Sequence, residues 1–92
     1  MDRLQWERGK KLPPGARLVI KESQWRNPFR VSVYGQDGAV VVFRRHVESM
    51  TPLARMIWLR PLQDDKSITA LACTCKPDEP CHVDVLIEYL SR

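Results

Sequence analysis

Three cysteines and a histidine fall within ten residues, as Cys73-Thr74-Cys75 followed by Cys81-His82. Thiolates and imidazole are the ligands zinc prefers in tetrahedral sites, so Cys73, Cys75, Cys81 and His82 have the count and the chemistry of a metal centre. Their spacing differs from the common zinc knuckle, in which two to four residues separate paired cysteines. A second chemistry is that of a reactive thiol. If a helix starts at Cys81, its free N–H groups and dipole favour an anion there, which makes Cys81 a candidate thiolate nucleophile and His82 its base or orienter. A third reading is plain packing, with buried cysteines beside a capping histidine. On a helical wheel Cys81 lies about 160° from Val83, which argues against core packing for Cys81.

These residues need elements to hold them. Ile68 to Cys75 is a compact apolar run that suits a buried strand, expected over 68–74, and alternation within it would project Cys73 and Cys75 to one face. The acids and Pro80 that follow favour a helix start, and Val83, Leu86, Ile87 and Leu90 recur at i, i+3, i+4 and i+7, which predicts a helix over 80–91. Upstream, Thr51-Pro52 is an N-cap with proline at the first helical position, and Leu53, Met56 and Ile57 share a face until Pro61, giving a helix over 52–60. Val40, Phe43, Val47 and Met50 predict another over 39–50, although Val40-Val41-Val42 favours strand locally. Leu18-Val19-Ile20 predicts a strand over 17–21. The alternation of Phe29, Val31 and Val33 with Arg30, Ser32 and Tyr34 predicts one over 29–34. Residues 1–15, broken by Pro13-Pro14, read as an N-terminal arm pinned by Trp6, with a single domain over 16–92.

The expected fold is a small α/β domain of three or more strands and two to three helices, with the site at a strand-to-helix turn. Ninety-two residues leave no room for a second core. The chain has no run of about 18 apolar residues and no signal-peptide pattern, which points to the cytoplasm and away from membranes. Three clustered cysteines do not make a disulfide framework, and in a reducing compartment they indicate metal or thiol chemistry. The net charge of +4 is uneven: residues 1–30 hold eight Lys/Arg against three acids, and residues 61–92 hold three against six. Arg3, Arg8, Lys10, Lys11, Arg17 and Lys21, with Trp6 and Trp25 as stacking surfaces, could meet nucleic acid, although such a spread of charge is also an ordinary solvated surface. Trp58 is read as core.

The segments Leu71-Ala72-Cys73-Thr74-Cys75-Lys76-Pro77 and Pro80-Cys81-His82-Val83-Asp84-Val85-Leu86 resemble the signature of domain of unknown function family 4326, found in bacteria and their viruses. Asn27-Pro28-Phe29 is similar to that family's second motif, in the expected order. The chain has Arg26 where the family often has glycine, and Thr74 where an aromatic is frequent. The resemblance implies a site of Asn27, Pro28, Cys73, Cys75, Cys81, His82 and Asp84, with Asn27 and Asp84 as ligand contacts, and a place in a bacterial cytoplasm, the host's if the protein is viral. It carries no activity.

Two further classes of function compete with a zinc-binding accessory module that acts through a protein partner. One is a nucleotide or small-ligand domain or thiol enzyme, since a strand, a loop and a helix N-terminus can cradle phosphate. Against it, Lys76-Pro77-Asp78-Glu79-Pro80 has two prolines without N–H donors and two acids that repel phosphate. The other is nucleic-acid binding through the basic N-terminal half.

Overall fold

Ala70–Cys73 forms the central strand of a three-stranded sheet, and all four of its residues are buried. A strand covered on both faces is uniformly apolar rather than alternating, which explains the run Ala70-Leu71-Ala72-Cys73. In the computed structural model, which describes residues 1–20 and 23–91, the elements are β1 (Asp2–Gln5), β2 (Ala16–Leu18), α1 (Val31–Ser49), α2 (Pro52–Asp64), β3 (Ala70–Cys73) and α3 (His82–Leu90). The sheet order is β1-β3-β2, and both outer strands run parallel to β3. All three strands therefore end on one edge, where Trp6, Val19 and Cys73 lie side by side. The Trp6 N–H donates to the Cys73 carbonyl (2.7 Å) and the Val19 N–H to the Ala72 carbonyl (3.0 Å). Helices packed on the sheet supply Phe43, Val47, Leu62, Val83, Val85 and Leu86 to a core completed by Val19 and Leu71.

Several expectations change. Residues 2–5, read as part of an arm, are a strand in register with β3, from Asp2 opposite Ala70 to Gln5 opposite Cys73. Trp6 does pin the segment that follows, its Nε1–H donating to the Lys10 carbonyl at 2.7 Å. The strand expected over 17–21 is Ala16–Leu18, and Lys21 lies outside the described residues. The strand expected over 29–34 is instead a helix start. The Asn27 carboxamide accepts the Phe29 N–H (2.9 Å) and the Arg30 carbonyl accepts from both Val33 and Tyr34, so turn chemistry wins over alternation. Gly35, at φ 75°, kinks this first turn against the remainder of α1. As a result Val31, Val33 and Tyr34 are exposed.

The helix expected over 52–60 runs on to Asp64 with Pro61 inside it, on an exposed side where the lost N–H bond is tolerated. Its Thr51 cap is present, Oγ1 accepting the Ala54 N–H at 3.2 Å. Leu53, Met56 and Ile57, which share the face that predicts this helix, are exposed, and Leu59 and Leu62 are the buried residues of α2. Trp58 is half-buried against the core, and its Nε1–H donates to the Gln24 carbonyl.

Gly15 closes the turn into β2. Its φ is +84°, its carbonyl accepts both the Thr69 and Ala70 N–H groups, and a Cβ there would sit 2.5 Å from Thr69 Oγ1. Gly15→Ala should cost about 1–3 kcal/mol, from the left-handed backbone and the clash together. Gly9→Ala, also at positive φ but with nothing within 4 Å, should cost less. Urea midpoints of the two variants check the order, and an equal cost would show that the Thr69 contact relaxes freely.

Candidate metal centre at the β3–α3 turn

The chain leaves β3 at Cys73, turns through residues 74–80 and re-enters the core at Cys81. Cys81 caps α3 with extended backbone (φ −144°, ψ 146°), so its side chain projects back under the helix instead of along the helical wheel. This geometry corrects the wheel: Cys81 is fully buried. Its sulfur lies 3.1 Å from Cys73 Sγ, and Cys73 Sγ lies 3.3 Å from Cys75 Sγ. All three thiols are free, and the three sulfur atoms lie within 4.8 Å of one another. A tetrahedral zinc with bonds of about 2.3 Å would space its sulfurs about 3.8 Å apart, so the Cys73–Cys81 and Cys73–Cys75 pairs need to open by only a fraction of an ångström to hold one.

His82 is buried beside them. Its Nε2 lies 2.8 Å from the Val19 carbonyl, which only accepts, so the proton sits on Nε2. The Nδ1 lone pair is then left on the cysteine side, 3.7 Å from Cys81 Sγ. Burial holds the imidazole below its ordinary pKa, which keeps it neutral. A ring nitrogen anchored on a backbone carbonyl while the other is free toward soft ligands is the arrangement that orients metal-binding histidines. Phe43 packs edge-on to the ring at 5.3 Å and fixes its plane. His82 Nδ1 is not among the ligand atoms that lie within 4.8 Å of one another, a set that among the described residues comprises the three sulfurs.

The sulfurs form a relay: Cys81 donates to Cys73, Cys73 donates to Cys75, and the Gln36 Nε2–H also reaches Cys75 Sγ at 3.5 Å. Hydrogen bonds from Cys73 and Cys81 pull the Cys75 thiol well below its usual range. Cys73 is pushed up chiefly by its bond to Cys75, and Cys81 by its bonds to Cys73 and Cys75 and by burial. The anionic sulfur is therefore Cys75, the half-exposed one, and not Cys81, where the helix-start argument places it. The difference arises because Cys81 is a donor to neighbouring sulfurs, and that outweighs the helix dipole. Iodoacetamide should modify Cys75 first and Cys81 last. Because the Cys75 pKa is depressed, its alkylation should persist below pH 7, where an ordinary thiol slows about tenfold per pH unit. Peptide mapping across pH 5–8 checks this, and preferential labelling of Cys81 would refute the relay.

Arg3, which sequence reasoning places in a basic surface, is the clasp of this turn. From β1 its guanidinium donates to the Lys76 carbonyl (2.6 Å), the Glu79 carbonyl (2.7 Å) and the Asp84 carboxylate (2.8 Å). Asp84 thus faces Arg3 rather than the sulfurs. Asn27 is occupied by its turn and by a bond from Nδ2 to the Ala39 carbonyl (3.1 Å), yet it lines a cleft of about 340 Å³ with Arg26, Arg30, Gln36, Cys75 and His82. The motif residues Asn27, Cys73, Cys75 and His82 do meet around one opening. Arg3 and Gln36 carry no local signal, since each reaches the turn from a distant part of the chain.

A three-stranded parallel sheet with helices packed on it, ending in a three-thiol cluster where the central strand meets a helix N-terminus, defines the class: a small α/β domain with a potential metal centre. The chain belongs to the family described as Domain of unknown function (DUF4326), whose pattern matches residues 3–92. No curated protein and no solved structure matches it. Among the described residues no helix is long and apolar enough to cross a membrane.

Proposed function

We propose that this protein is a small zinc-binding accessory module, with Cys73, Cys75 and Cys81 as thiolate ligands and His82 Nδ1 as the fourth. The observation that carries this reading is the convergence of three free sulfurs on one point beside a neutral imidazole whose other nitrogen is anchored on Val19. Three neighbouring thiols would repel one another as thiolates, and a divalent cation removes that conflict. The ion would tie the end of β3 to the start of α3, so its role is structural, and the module would act by presenting its surface to a partner protein in a bacterial cytoplasm. A second reading is favoured by the cleft. Cys75 opens onto the same space as Arg26 and Arg30, which suits a small anionic ligand or thiol chemistry at Cys75.

Native mass spectrometry of protein purified without added metal separates the two. One zinc per chain, lost on Cys73→Ser, supports the structural centre. A metal-free chain that stays folded overturns it and leaves the anionic-ligand reading.

A further inference from the structure

The edge where the strands end carries another feature, separate from the thiols. Beyond β1 and β2 opens a cleft of about 600 Å³, whose walls include Trp6, Arg8, Arg17, Ser23, Gln24 and Trp25, with no acid among its described lining residues. That volume falls within the range of about 300–1,000 Å³ typical of small-molecule sites. Trp25 is 3% exposed, its Nε1–H donates to the Trp58 carbonyl, and Arg17 lies over its ring at 5.6 Å. Trp25 is thus no stacking surface; it is the buried plate that orients Arg17. Trp6 is different. It also borders a neighbouring cleft of about 300 Å³ lined by Glu7 as well as Lys10 and Lys11, so the indole stands as a partition between the two spaces, held by its bond to the Lys10 carbonyl.

Neither Arg8 nor Arg17 forms a salt bridge among the described residues. Asp65, the acid that senses Arg17, spends its carboxylate on the N–H and hydroxyl of Ser67. The Gln24 side chain makes no hydrogen bond among the described residues, and only its carbonyl is used, by Trp58. A fixed indole partition, two guanidinium groups without a salt bridge and a carboxamide without a hydrogen bond among the described residues, in a cleft whose described lining holds no acid, make up the chemistry that recognises an aromatic base joined to a phosphate.

We propose that this cleft binds a nucleotide unit, its base against Trp6 and its phosphate at Arg8 and Arg17. The unit can come from a single strand or from a free nucleotide. Basicity alone would not single out this place, because Arg45 is an equally exposed arginine elsewhere, on α1. The inference does not depend on the metal.

Titrating the intact protein with an eight-residue oligothymidylate, with thymidine and adenosine monophosphates, and with inorganic phosphate, while reading tryptophan fluorescence, tests it. Binding of the oligonucleotide with quenching, weakened at least tenfold by Trp6→Leu and several-fold by Arg8→Gln, is the expected result, whereas Arg45→Gln should change it less than twofold. Monophosphates that bind as tightly as the strand assign the site to free nucleotides, and a strand that binds much tighter, with affinity falling steeply in salt, assigns it to nucleic acid. No binding of the oligonucleotide or of either monophosphate overturns the proposal, as do inorganic phosphate binding as tightly as they do and an Arg45→Gln effect equal to that of Arg8→Gln. Arg8 is exposed and unbonded among the described residues, so its variant stays informative if Trp6→Leu fails to fold.

Discussion

On the proposed zinc reading, stripping the metal with a chelator, or replacing Cys81 by serine, should lower the melting temperature by about 10 °C or more. A structural zinc binds the folded chain and not the unfolded one, so its binding free energy is folding free energy. For a domain of this size about 1 kcal/mol moves the midpoint by roughly 4–8 °C, so losing even 2–3 kcal/mol is visible by calorimetry. Cys81→Ser without a metal would only exchange one buried sulfur for a hydroxyl among polarizable neighbours, a change of about 1 kcal/mol. The two cases separate through additivity. If the thiols share one ion, Cys73→Ser, Cys81→Ser and the chelated wild type all reach the same low midpoint, and chelator does nothing more to the variants. If the cysteines are only core, chelator leaves the wild type unchanged and the two serine costs add. The pH dependence has a definite sign. Cys73 and Cys81 hold their protons in the metal-free cluster and must release them to bind, so zinc affinity should fall as pH drops from 8 to 6.

How much of this was legible in the sequence depends on how local the determining forces are. α3 was readable because its apolar period is its burial pattern, and β3 because a central parallel strand is simply apolar. The Cys-His cluster was readable as a set of residue types at close spacing. Its internal electrostatics were not: a wheel cannot show that Cys81 sits at a cap with extended backbone, nor that Cys75 ends a chain of S–H donors. The segment 29–34 misled because Phe29, Val31 and Val33 alternate, while the decisive term is one hydrogen bond from the Phe29 N–H to Asn27. Leu53, Met56 and Ile57 misled in the opposite sense, since periodicity identifies an apolar face without saying that this chain covers it. β1 was hidden because four residues with two charges make a strand only when β3 lies alongside.

Arg3→Met should be among the most damaging single changes outside the core, costing about 1–3 kcal/mol, because it removes one donor from three acceptors at once, of which the Lys76 carbonyl alone keeps another, the Glu79 N–H. The side chain is only 17% exposed, and its fork bridges two carbonyls of the 76–79 turn and the first-turn acid of α3. Bonds from a charged donor are worth more than neutral ones, and of the two carbonyls it is that of Glu79, in the part-buried bond, that keeps most of its desolvation cost, while water reaches the exposed Lys76. Asp84→Asn should cost only about 1 kcal/mol, since Asp84 is half-exposed and the two carbonyl bonds survive it. Arg3→Lys should recover little, because an ammonium group cannot span three acceptors set in a plane by a guanidinium. Denaturant midpoints for the three variants and for Arg3→Met combined with Asp84→Asn check the ranking. Equal losses for Arg3→Met and Asp84→Asn would mean that the ion pair alone matters and that the turn holds itself. The ranking expected here makes β1 a working part of the thiol site: Arg3 fixes the loop that carries Cys75 toward Cys73 and Cys81, so zinc affinity should fall in Arg3→Met while Asp84→Asn nearly keeps it.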